Sequence, residues 1–325
     1  MARRALSAAC LAVVQAVERH APGALAATGA SRLAVALSGG ADSLALALGV
    51  GWATRRAGPV HGVAARCHVV DHGLQPGSDE VAERAAAVVA ERGLAARVTR
   101  VHVDVAGQGV EAAARDARYA ALLADPDDLV LTGHTLDDQA ETVLLGLARG
   151  SGTRSLAGMP VLAGRVLRPL LGLRRSQTEQ ACRDWGVTPW QDPMNDDERF
   201  ARVRARRALG QLEADLGPGL TEALARTAEL AGSDADYLDG LAEAARRDVA
   251  IGSGLGAARL KTLPEALRGR VVLAWLRERG VADIGLAHVR AVVALAVDHH
   301  GQGGVAVPGG RVERRDGRIM FDRGQ

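Results

Sequence analysis

The strongest candidate for chemistry in this chain is a run of six small and polar residues: Ser38, Gly39, Gly40, Ala41, Asp42 and Ser43. The two glycines permit positive φ and let the backbone come close to a ligand. The first amides of a following helix lack intrahelical partners, and the two serines add hydroxyl donors, so the run suits a pyrophosphate without a lysine. The Asp42 carboxylate would repel a phosphate unless a cation lay between them, which predicts bound magnesium.

Two apolar runs flank this loop and predict the elements that position it. Residues 33–37 read as a buried parallel strand, and residues 44–48 read as the buried start of a helix. An ordinary glycine turn is the alternative, but strand, glycine turn and helix in this order form an anion site. The pattern resembles the SGGxDS loop of the PP-loop ATP pyrophosphatases, which split ATP between its α and β phosphates. The glycine-lysine P-loop is absent from the sequence, which disfavours chemistry at a γ phosphate.

A second polar cluster, residues 132–142, follows the apolar run 128–131 and opens a helix. Acids near a helix N-terminus gain about 0.3–1 kcal/mol from the helix dipole, which accounts for one or two of them but not for the whole cluster. We expect the cluster to face the six-residue loop, so that Asp42 and either Asp137 or Asp138 hold magnesium on a triphosphate. Two pairs at i, i+4 spacing stay open: Asp138 with Thr142, or Asp137 with Glu141.

Further nucleotide contacts are predicted for Arg115, Gly133 and His134. For Arg115, an ion pair with Glu111 one turn away on a helix over 109–123 is the simpler account. The alternative directs Arg115 and Arg118 at phosphates. At the end of the second strand, Asp71-His72 leaves metal binding, ATP contact and capping of the next turn open.

Residues 199–207 are the densest basic segment of the chain, with five arginines in nine positions. In a helix, one stripe would contain Arg199, Arg202 and Arg206, and another would contain Arg204 and Arg207. A solvated helix face is the usual outcome of such a charge run. In a chain of net charge +2, a single basic cluster is also the expected footprint of phosphates, from ATP or from tRNA.

Longer segments narrow the resemblance to one family. The order typical of tRNA(Ile)-lysidine synthases is present over roughly residues 32–207, in the segments SGGADS, VDHGLQPGSDEVA, VEAAARDARYAAL, TGHTLDDQAETVLLGLARGSG, RPLL and WQDPMND...FARVRAR. The resemblance implies that ATP adenylates the C2 carbonyl oxygen of the wobble cytidine in an isoleucine tRNA, and that the ε-amine of free lysine then displaces AMP. It also implies that Arg202 and Arg206 border the active site. Val203 stands where the family often has asparagine, which weakens any role of that amide.

The implied reaction needs an isoleucine tRNA with a CAU anticodon and free L-lysine as partners, and ATP and Mg²⁺ as cofactors. Since the lysine side chain has a pKa near 10.4, a carboxylate or desolvation must remove its proton, and the candidates are Asp137, Asp138 and Glu141. A tRNA thiolase or an amidating synthetase is the alternative, but the first generally needs a cysteine pair and the second a glutaminase domain. A nucleotide- or tRNA-binding protein without catalysis would not need the acidic cluster.

The predicted elements define an α/β fold with two domains. Strands that alternate with helices predict a doubly wound parallel sheet with ligand sites at the carboxyl ends of the strands. The boundary at Gly217-Pro218-Gly219 separates a catalytic domain, 1–216, from a mainly helical, tRNA-contacting domain, 217–325. Other predicted elements are strands over 60–70 and 95–103, a helix opened by the capping box Ser176-x-x-Glu179, helices over 220–249, 264–279 and 286–298, and hairpins over 303–321. The glycine-rich loop 150–164 is either a crossover or a lid over the substrate.

Composition limits the class of protein. With 325 residues and 48% apolar side chains the chain can bury a large core, whereas 2% aromatic residues leave few stacking platforms for single-stranded RNA. Cys10, Cys67 and Cys182 lie far apart without a C-x-x-C, which favours a reducing compartment. Residues 1–17 predict an amphipathic helix and no run of about 18 apolar residues exists, so we expect a cytoplasmic protein without a membrane span. The sequence leaves a homodimer open.

Overall fold

The structure, a computed structural model, describes residues 6–73, 77–104, 109–150, 152–192, 194 and 197–324. Contacts between residues divide the chain into two compact units. Unit 1 comprises Met1–Arg149 with Gly158–Ala228, and unit 2 comprises Gly150–Ala157 with Glu229–Gln325. The units therefore divide between Ala228 and Glu229, later in the chain than residues 217–219. The boundary between a catalytic and a tRNA-contacting domain at 217–219 stays a prediction.

Unit 1 is built on a mostly parallel sheet. Its strands are β1 Arg32–Ala36, β2 Ala64–Asp71, β3 Ala95–Arg100, β4 Asp128–Leu131, β5 Leu162–Ala163 and β6 Val166–Leu167. They lie in the order β3-β2-β1-β4-β6-β5, and only the short β5 is antiparallel to its neighbour. Because β1 pairs with β2 on one side and with β4 on the other, the strand order reverses beside β1. This topology confirms the predicted doubly wound parallel sheet.

The helices of unit 1 pack through small aliphatic side chains. They are α1 Ala8–Thr28, α2 Ala41–Arg55, α3 Ser78–Ala90, α4 Val110–Leu122, α5 Leu136–Arg149, α7 Arg175–Asp184, α8 Ala201–Leu216 and the start of α9 Leu220–Val249. Leu33, Leu44 and Leu129 lie at the centre of the core with at most 1% exposure. The three cysteines are buried and free. The core thus has the aliphatic character that the low aromatic content predicts.

Two strand boundaries differ from the prediction. β2 begins at Ala64 rather than at residue 60, because residues 56–62 form bends and turns. β3 ends at Arg100 rather than at residue 103. β2 still ends at Asp71, which lines the cleft described below.

Two helix starts also differ. The predicted capping box Ser176-x-x-Glu179 is wrong, because the N-cap of α7 is Arg174, two residues before Ser176. The N–H of Arg174 donates to Gln177 Oε1 at 2.9 Å. α8 begins at Ala201, which leaves Arg199 outside the helix and removes it from the predicted stripe.

Unit 2 combines helices with an antiparallel sheet. Its helices are α6 Thr153–Leu156, the rest of α9, α10 Ala257–Thr262, α11 Glu265–Glu278 and α12 Leu286–Val297, and its strands are β7 Ala250–Ile251, β8 Gly254–Gly256, β9 Val305–Val307, β10 Gly310–Arg315 and β11 Arg318–Arg323. The strands lie in the order β7-β8-β11-β10-β9, and β10 with β11 forms a hairpin in the region where hairpins are predicted. The core surrounds Trp275, which is 1% exposed. In the described part of the chain, no helix is both long and apolar enough to cross a membrane.

The segment predicted as an irregular loop at 150–164 contains α6, which is held within unit 2. Arg154 pairs with Asp236 at 2.7 Å and with Asp239 at 2.5 Å. Arg270 donates to the Thr153 hydroxyl at 3.0 Å. Short helical structure and ion pairs thus replace the expected irregular loop in this part, and the lid stays a prediction.

Candidate active site

The carboxyl ends of β1 and β4 meet beside the point where the strand order reverses, which is where open α/β sheets bind ligands. Gly133, which follows β4, makes a close approach there. A Cβ built on it would lie 2.9 Å from the carbonyl carbon and oxygen of Asp42 and 3.0 Å from the amide nitrogen of Ser43. The two polar clusters predicted from the sequence therefore touch through their backbones.

The loop after β1 is held in shape by its serines. Ser43 Oγ donates to the carbonyl of Gly40 at 3.0 Å, accepts the N–H of Ser38 at 3.2 Å and lies 3.1 Å from Ser38 Oγ. Gly39 has a φ of +85°, and its carbonyl accepts the N–H of Trp190 at 3.0 Å. Among the described residues, no side chain caps the N-terminus of α2, so the first amides of this helix are left for an anion.

A cleft of about 700 Å³ opens beside this loop, a volume typical of small-molecule sites. Five predicted site residues line it: Ser38, Asp42, Ser43, Gly133 and His134. Other lining residues are Asp71, His72, Arg118 and Tyr119. Asp71 also accepts the N–H of Gly73 at 2.9 Å, which is the capping role left open by the sequence. Gly39, Gly40, Ala41 and Arg115 are not among the lining residues, and their ATP contacts stay predictions.

The centre of the acidic cluster is an arginine that the sequence analysis missed. The guanidinium of Arg175, at the start of α7, lies 3.3 Å from Asp42 Oδ2 and 2.7 Å from Asp138 Oδ1. A third carboxylate, Glu141, lies 3.7 Å away. Burial opposes the charge of Arg175, but the three carboxylates together raise its pKa above the ordinary value. The guanidinium of Arg175 therefore lies between Asp42 and Asp138, the two carboxylates between which the sequence predicts a magnesium ion.

The charge of Asp42 is only partly compensated. Burial raises the pKa of Asp42 to about 6, although Thr178 and Arg175 oppose the shift. Thr178 Oγ1 donates to Asp42 Oδ1, and Arg175 Nε donates to Oδ2 at 3.3 Å. The nearby charge of Asp138 raises the pKa further. Asp42 would therefore gain from a second cation.

Asp138 and Glu141 differ in how their oxygens are bound. Burial acts against ionisation of Asp138, but Arg175 and the Thr135 N–H and hydroxyl, at 2.7 and 2.9 Å, hold its pKa below the ordinary value. Burial raises the pKa of Glu141, although Arg206 Nε donates to Oε1 at 2.7 Å. Glu141 Oε2 is buried and has no hydrogen-bond partner in the described part of the chain. This oxygen therefore keeps an unused acceptor in the interior of the protein.

The acids of α5 are paired differently from both predicted i, i+4 alternatives. Asp138 and Glu141, three residues apart, share Arg175. Asp137 faces the start of α7 instead, where its Oδ2 accepts the backbone N–H of Arg175 at 2.7 Å. Of the two predicted metal ligands, Asp138 is thus the one joined to Asp42, and a catalytic role of Asp137 stays a prediction.

Asp42 and Asp138 suit the chemistry of a magnesium ion. Mg²⁺ takes oxygen ligands and is usually bound by one or two carboxylates together with substrate phosphates and water. Among the described residues, no three His, Cys, Asp or Glu side chains form a complete metal site. Two carboxylates beside a phosphate-binding loop are the donor set expected when the nucleotide supplies the remaining ligands.

The basic segment 199–207 contains both locally bound arginines and site residues. Three arginines are bound locally: Arg199 to Asp197 at 2.6 Å, Arg207 to Glu198, and Arg204 to the carbonyls of Glu198 and Arg199. Arg206 instead donates to Glu141. Arg202 is half-buried, and its charge helps to lower the pKa of His134. Val203 is 9% exposed and packs in the interior, where an apolar side chain suits better than an amide.

Arg115 and Arg118 lie against one aromatic ring. Their guanidinium carbons are 5.4 and 5.5 Å from the centroid of Tyr119, within the range of cation–π interactions. The side chain of Glu111 lies outside the described residues, so its predicted ion pair with Arg115 is not tested.

Replacing Gly133 by alanine should separate the two strand ends. The new Cβ would meet the backbone of Asp42 at 2.9 Å, and we expect a loss of about 1–3 kcal/mol in the free energy of unfolding together with weaker ATP binding. Urea denaturation and calorimetric titration measure both. Gly210→Ala is the control, because nothing lies within 4 Å of that Cβ, and it should not lower stability. Wild-type stability and ATP affinity in Gly133→Ala would contradict the close-contact role.

His134 should make stability fall in mild acid. Burial, helped by nearby arginines, lowers the pKa of His134 to about 4, whereas an unfolded histidine titrates near 6.5. The unfolded chain therefore binds more protons between these values, and a contribution of about 2–3 kcal/mol present above pH 6.5 is lost as the pH falls to about 4. The stability difference between wild type and His134→Gln should shrink from about pH 7.5 to about pH 5 in urea denaturation. Exposed His61→Gln should show no such change, and an unchanged difference for His134→Gln would refute the prediction.

The sheet, the glycine loop and the cleft together define a PP-loop α/β domain. A family model of the PP-loop domain matches residues 13–213, and a model of the TilS substrate binding domain matches residues 255–320. The tRNA(Ile)-lysidine synthase of Mycolicibacterium paratuberculosis is 50% identical over 300 residues, which cover 90% of this chain and 91% of that protein. The one of Cutibacterium acnes is 48% identical over 334 residues, with 99% of each chain covered. The chain belongs to the tRNA(Ile)-lysidine synthase family.

A solved structure confirms the fold independently. The U34-tRNA thiolase NcsA from Methanococcus maripaludis superposes with a TM-score of 0.52 at 18% identity, covering 67% of this chain and 78% of that chain. At this identity the likeness shows a shared fold, and the predicted PP-loop architecture is confirmed.

Proposed function

We propose that the protein ligates free L-lysine to C2 of the wobble cytidine of an isoleucine tRNA with a CAU anticodon. ATP activates the cytidine as an adenylated tRNA intermediate, and pyrophosphate and AMP are released. The observation that carries this proposal is the contact between the phosphate-binding loop and the acidic cluster, where Arg175 joins Asp42 to Asp138 at 3.3 and 2.7 Å. A loop without acids would bind a nucleotide, whereas the acids add the means to hold a metal and a cationic substrate.

The loop after β1 binds and orients the phosphates of ATP. The first amides of α2 point at the anion, and the hydroxyls of Ser38 and Ser43, 3.1 Å apart, fix the loop around it. Asp42 and Asp138 would hold Mg²⁺, which when bound neutralises charge on the departing pyrophosphate. Positioning and electrostatic stabilisation are therefore the main contributions of the protein to this step.

We propose Glu141 as the base for the lysine ε-ammonium group because of its pKa and its unpartnered oxygen, although it does not line the cleft in this structure. A proton acceptor works best when its pKa is not far below the operating pH, and burial raises that of Glu141. Its Oε2 lacks a partner in the described part of the chain, whereas both oxygens of Asp138 are bound, by Thr135 and Arg175. Transfer of a proton from the ammonium to Glu141 Oε2 would leave the neutral amine that attacks C2.

A thiolase mechanism lacks a suitable cysteine here. The three cysteines are buried, and burial raises the pKa values of Cys67 and Cys182 to about 12. The thiolate is the reactive form of cysteine, and at neutral pH these side chains are thiols.

Unit 2 is the part that we propose to contact the tRNA. The family matched at residues 255–320 is described as a substrate binding domain, and this supports the predicted role of the second domain. A reaction that uses ATP, tRNA and free lysine belongs in the cytoplasm.

Transfer of labelled lysine tests the proposal. The protein is incubated with ATP, labelled lysine and an isoleucine tRNA transcript, and label in RNA is measured together with AMP. We expect ATP-dependent label in the RNA with AMP released, and none with a transcript in which uridine replaces the wobble cytidine. Label without ATP, or AMP without label, would count against the proposed reaction.

A further inference from the structure

A group of positively charged side chains at and near the cleft has no counter-ions among the described residues. It consists of Arg118 on α4, Arg168 just after β6, and Arg202 on α8, and we call it the arginine cluster. Arg118 lines the cleft and lies over Tyr119, which lines it too. His134 lines the same cleft, and all three arginines, which come from three separate elements, lower its pKa.

Arg168 is buried and Arg118 and Arg202 are half-buried, and the charges of this cluster are poorly compensated by the described residues. Arg168 is 7% exposed, and although its Nη1 donates to the carbonyl of Pro160 at 2.9 Å, its Nε has no hydrogen-bond partner among the described residues. Burial also lowers the pKa of Arg118, and the charges of Arg115 and Arg202 lower it further. In the described part of the chain, no carboxylate pairs with any member of the cluster.

Such an arrangement opposes folding and therefore calls for a ligand. A buried charge without a partner destabilises a protein, and natural proteins normally pair it. This chain does so elsewhere, since Arg66 reaches Asp128 and Asp125, and Arg175 reaches three carboxylates. An anionic ligand would supply the counter-charge that no described carboxylate supplies at the arginine cluster.

We propose that the arginine cluster binds a phosphodiester group of the RNA backbone next to the target nucleotide. This inference rests on the proposed function, in which an RNA must enter the same cleft as ATP. The loop after β1 and the carboxylates provide the amides and the metal ligands that a triphosphate needs, so the arginines are left for a second phosphate. Guanidinium groups bind phosphate oxygens in a bidentate manner, which fixes orientation as well as position.

Binding measurements on Arg118→Gln and Arg202→Gln test the inference. The probe is a labelled anticodon stem-loop RNA with a CAU anticodon, titrated at several salt concentrations. We expect each variant to bind this RNA about tenfold more weakly and the slope of log K against log salt to fall by about one. The Kd for ATP should stay within about twofold, since no nucleotide contact is removed. The melting temperature of Arg118→Gln should change little, because the variant loses a half-buried charge that no described carboxylate pairs, together with its contact to the Tyr119 ring.

Arg183→Gln is the matched control, because Arg183 donates to Gln180 on the exposed face of α7. Unchanged RNA affinity in both cluster variants would overturn the inference even if wild-type protein transfers lysine. Weaker ATP binding with unchanged RNA binding would mean that the cluster holds a nucleotide phosphate, which also overturns it. Failure of lysine transfer by wild-type protein that still binds RNA through the cluster would instead count against the proposed function.

Discussion

Asp42→Asn should lose at least about 10²–10³-fold in the rate of ATP conversion to AMP and pyrophosphate. The amide has nearly the same shape as the carboxylate but carries no charge, so it is a poor ligand for magnesium on the phosphates. The variant should fold at least as well as wild type at neutral pH, because burial raises the pKa of Asp42 and its charge is costly there. AMP release in the presence of tRNA and lysine is the measurement.

Asp184→Asn is the matched control for this experiment. Asp184 ends α7 and accepts a hydrogen bond from Gln180 at 2.7 Å on the protein surface. Its replacement should leave the rate of AMP release near that of wild type. Wild-type turnover by Asp42→Asn would remove the metal role and, with it, the central assumption about the loop.

Arg175→Gln should have the largest effect on stability. Removing this cation leaves Asp42, Asp138 and Glu141 close together with less countercharge, and breaking a buried ion pair costs about 3–5 kcal/mol. The loss should be smaller in acid, where the carboxylates are protonated and no longer repel one another. Urea denaturation at neutral and acidic pH measures both effects. Exposed Arg183→Gln should change stability by no more than about 0.5 kcal/mol.

Magnesium should partly rescue this variant. If the carboxylates can bind Mg²⁺ without nucleotide, added Mg²⁺ should raise the melting temperature of Arg175→Gln more than that of wild type, where Arg175 competes for the same oxygens. Equal stability of Arg175→Gln and wild type without Mg²⁺ would show that the arginine does not hold the acidic cluster together.

The sequence could predict the parts of the site that are formed by consecutive residues. The loop from Ser38 to Ser43 needs only the strand before it and the helix after it, and all three are local patterns. Gly133 and Asp138 follow the next strand of the sheet core, and parallel strands bring their carboxyl ends to one edge. The doubly wound topology and the contact between the two clusters are therefore predictable.

Arg175 could not be found in this way, because its role depends on a helix start and on distant partners. Arg174-Arg175-Ser176 reads as a polar helix entry, and the sequence favoured a capping box two residues too late. The pairing of Asp138 with Glu141 likewise depends on where α7 places one guanidinium. For Arg168, the apolar neighbours in Arg168-Pro169-Leu170-Leu171 were a signal, since an arginine in such a segment is buried unusually often for a charged residue.

The attachment of α6 to the second unit has a practical consequence for dissecting the protein. A fragment cut at residue 216 would retain Arg154 and Thr153 but lose Asp236, Asp239 and Arg270, to which they are bonded. An expression plasmid for an isolated catalytic half should therefore replace residues 150–157 with a short flexible linker. No single cut in the gene separates the two units, because residues 150–157 of unit 2 lie within the sequence of unit 1.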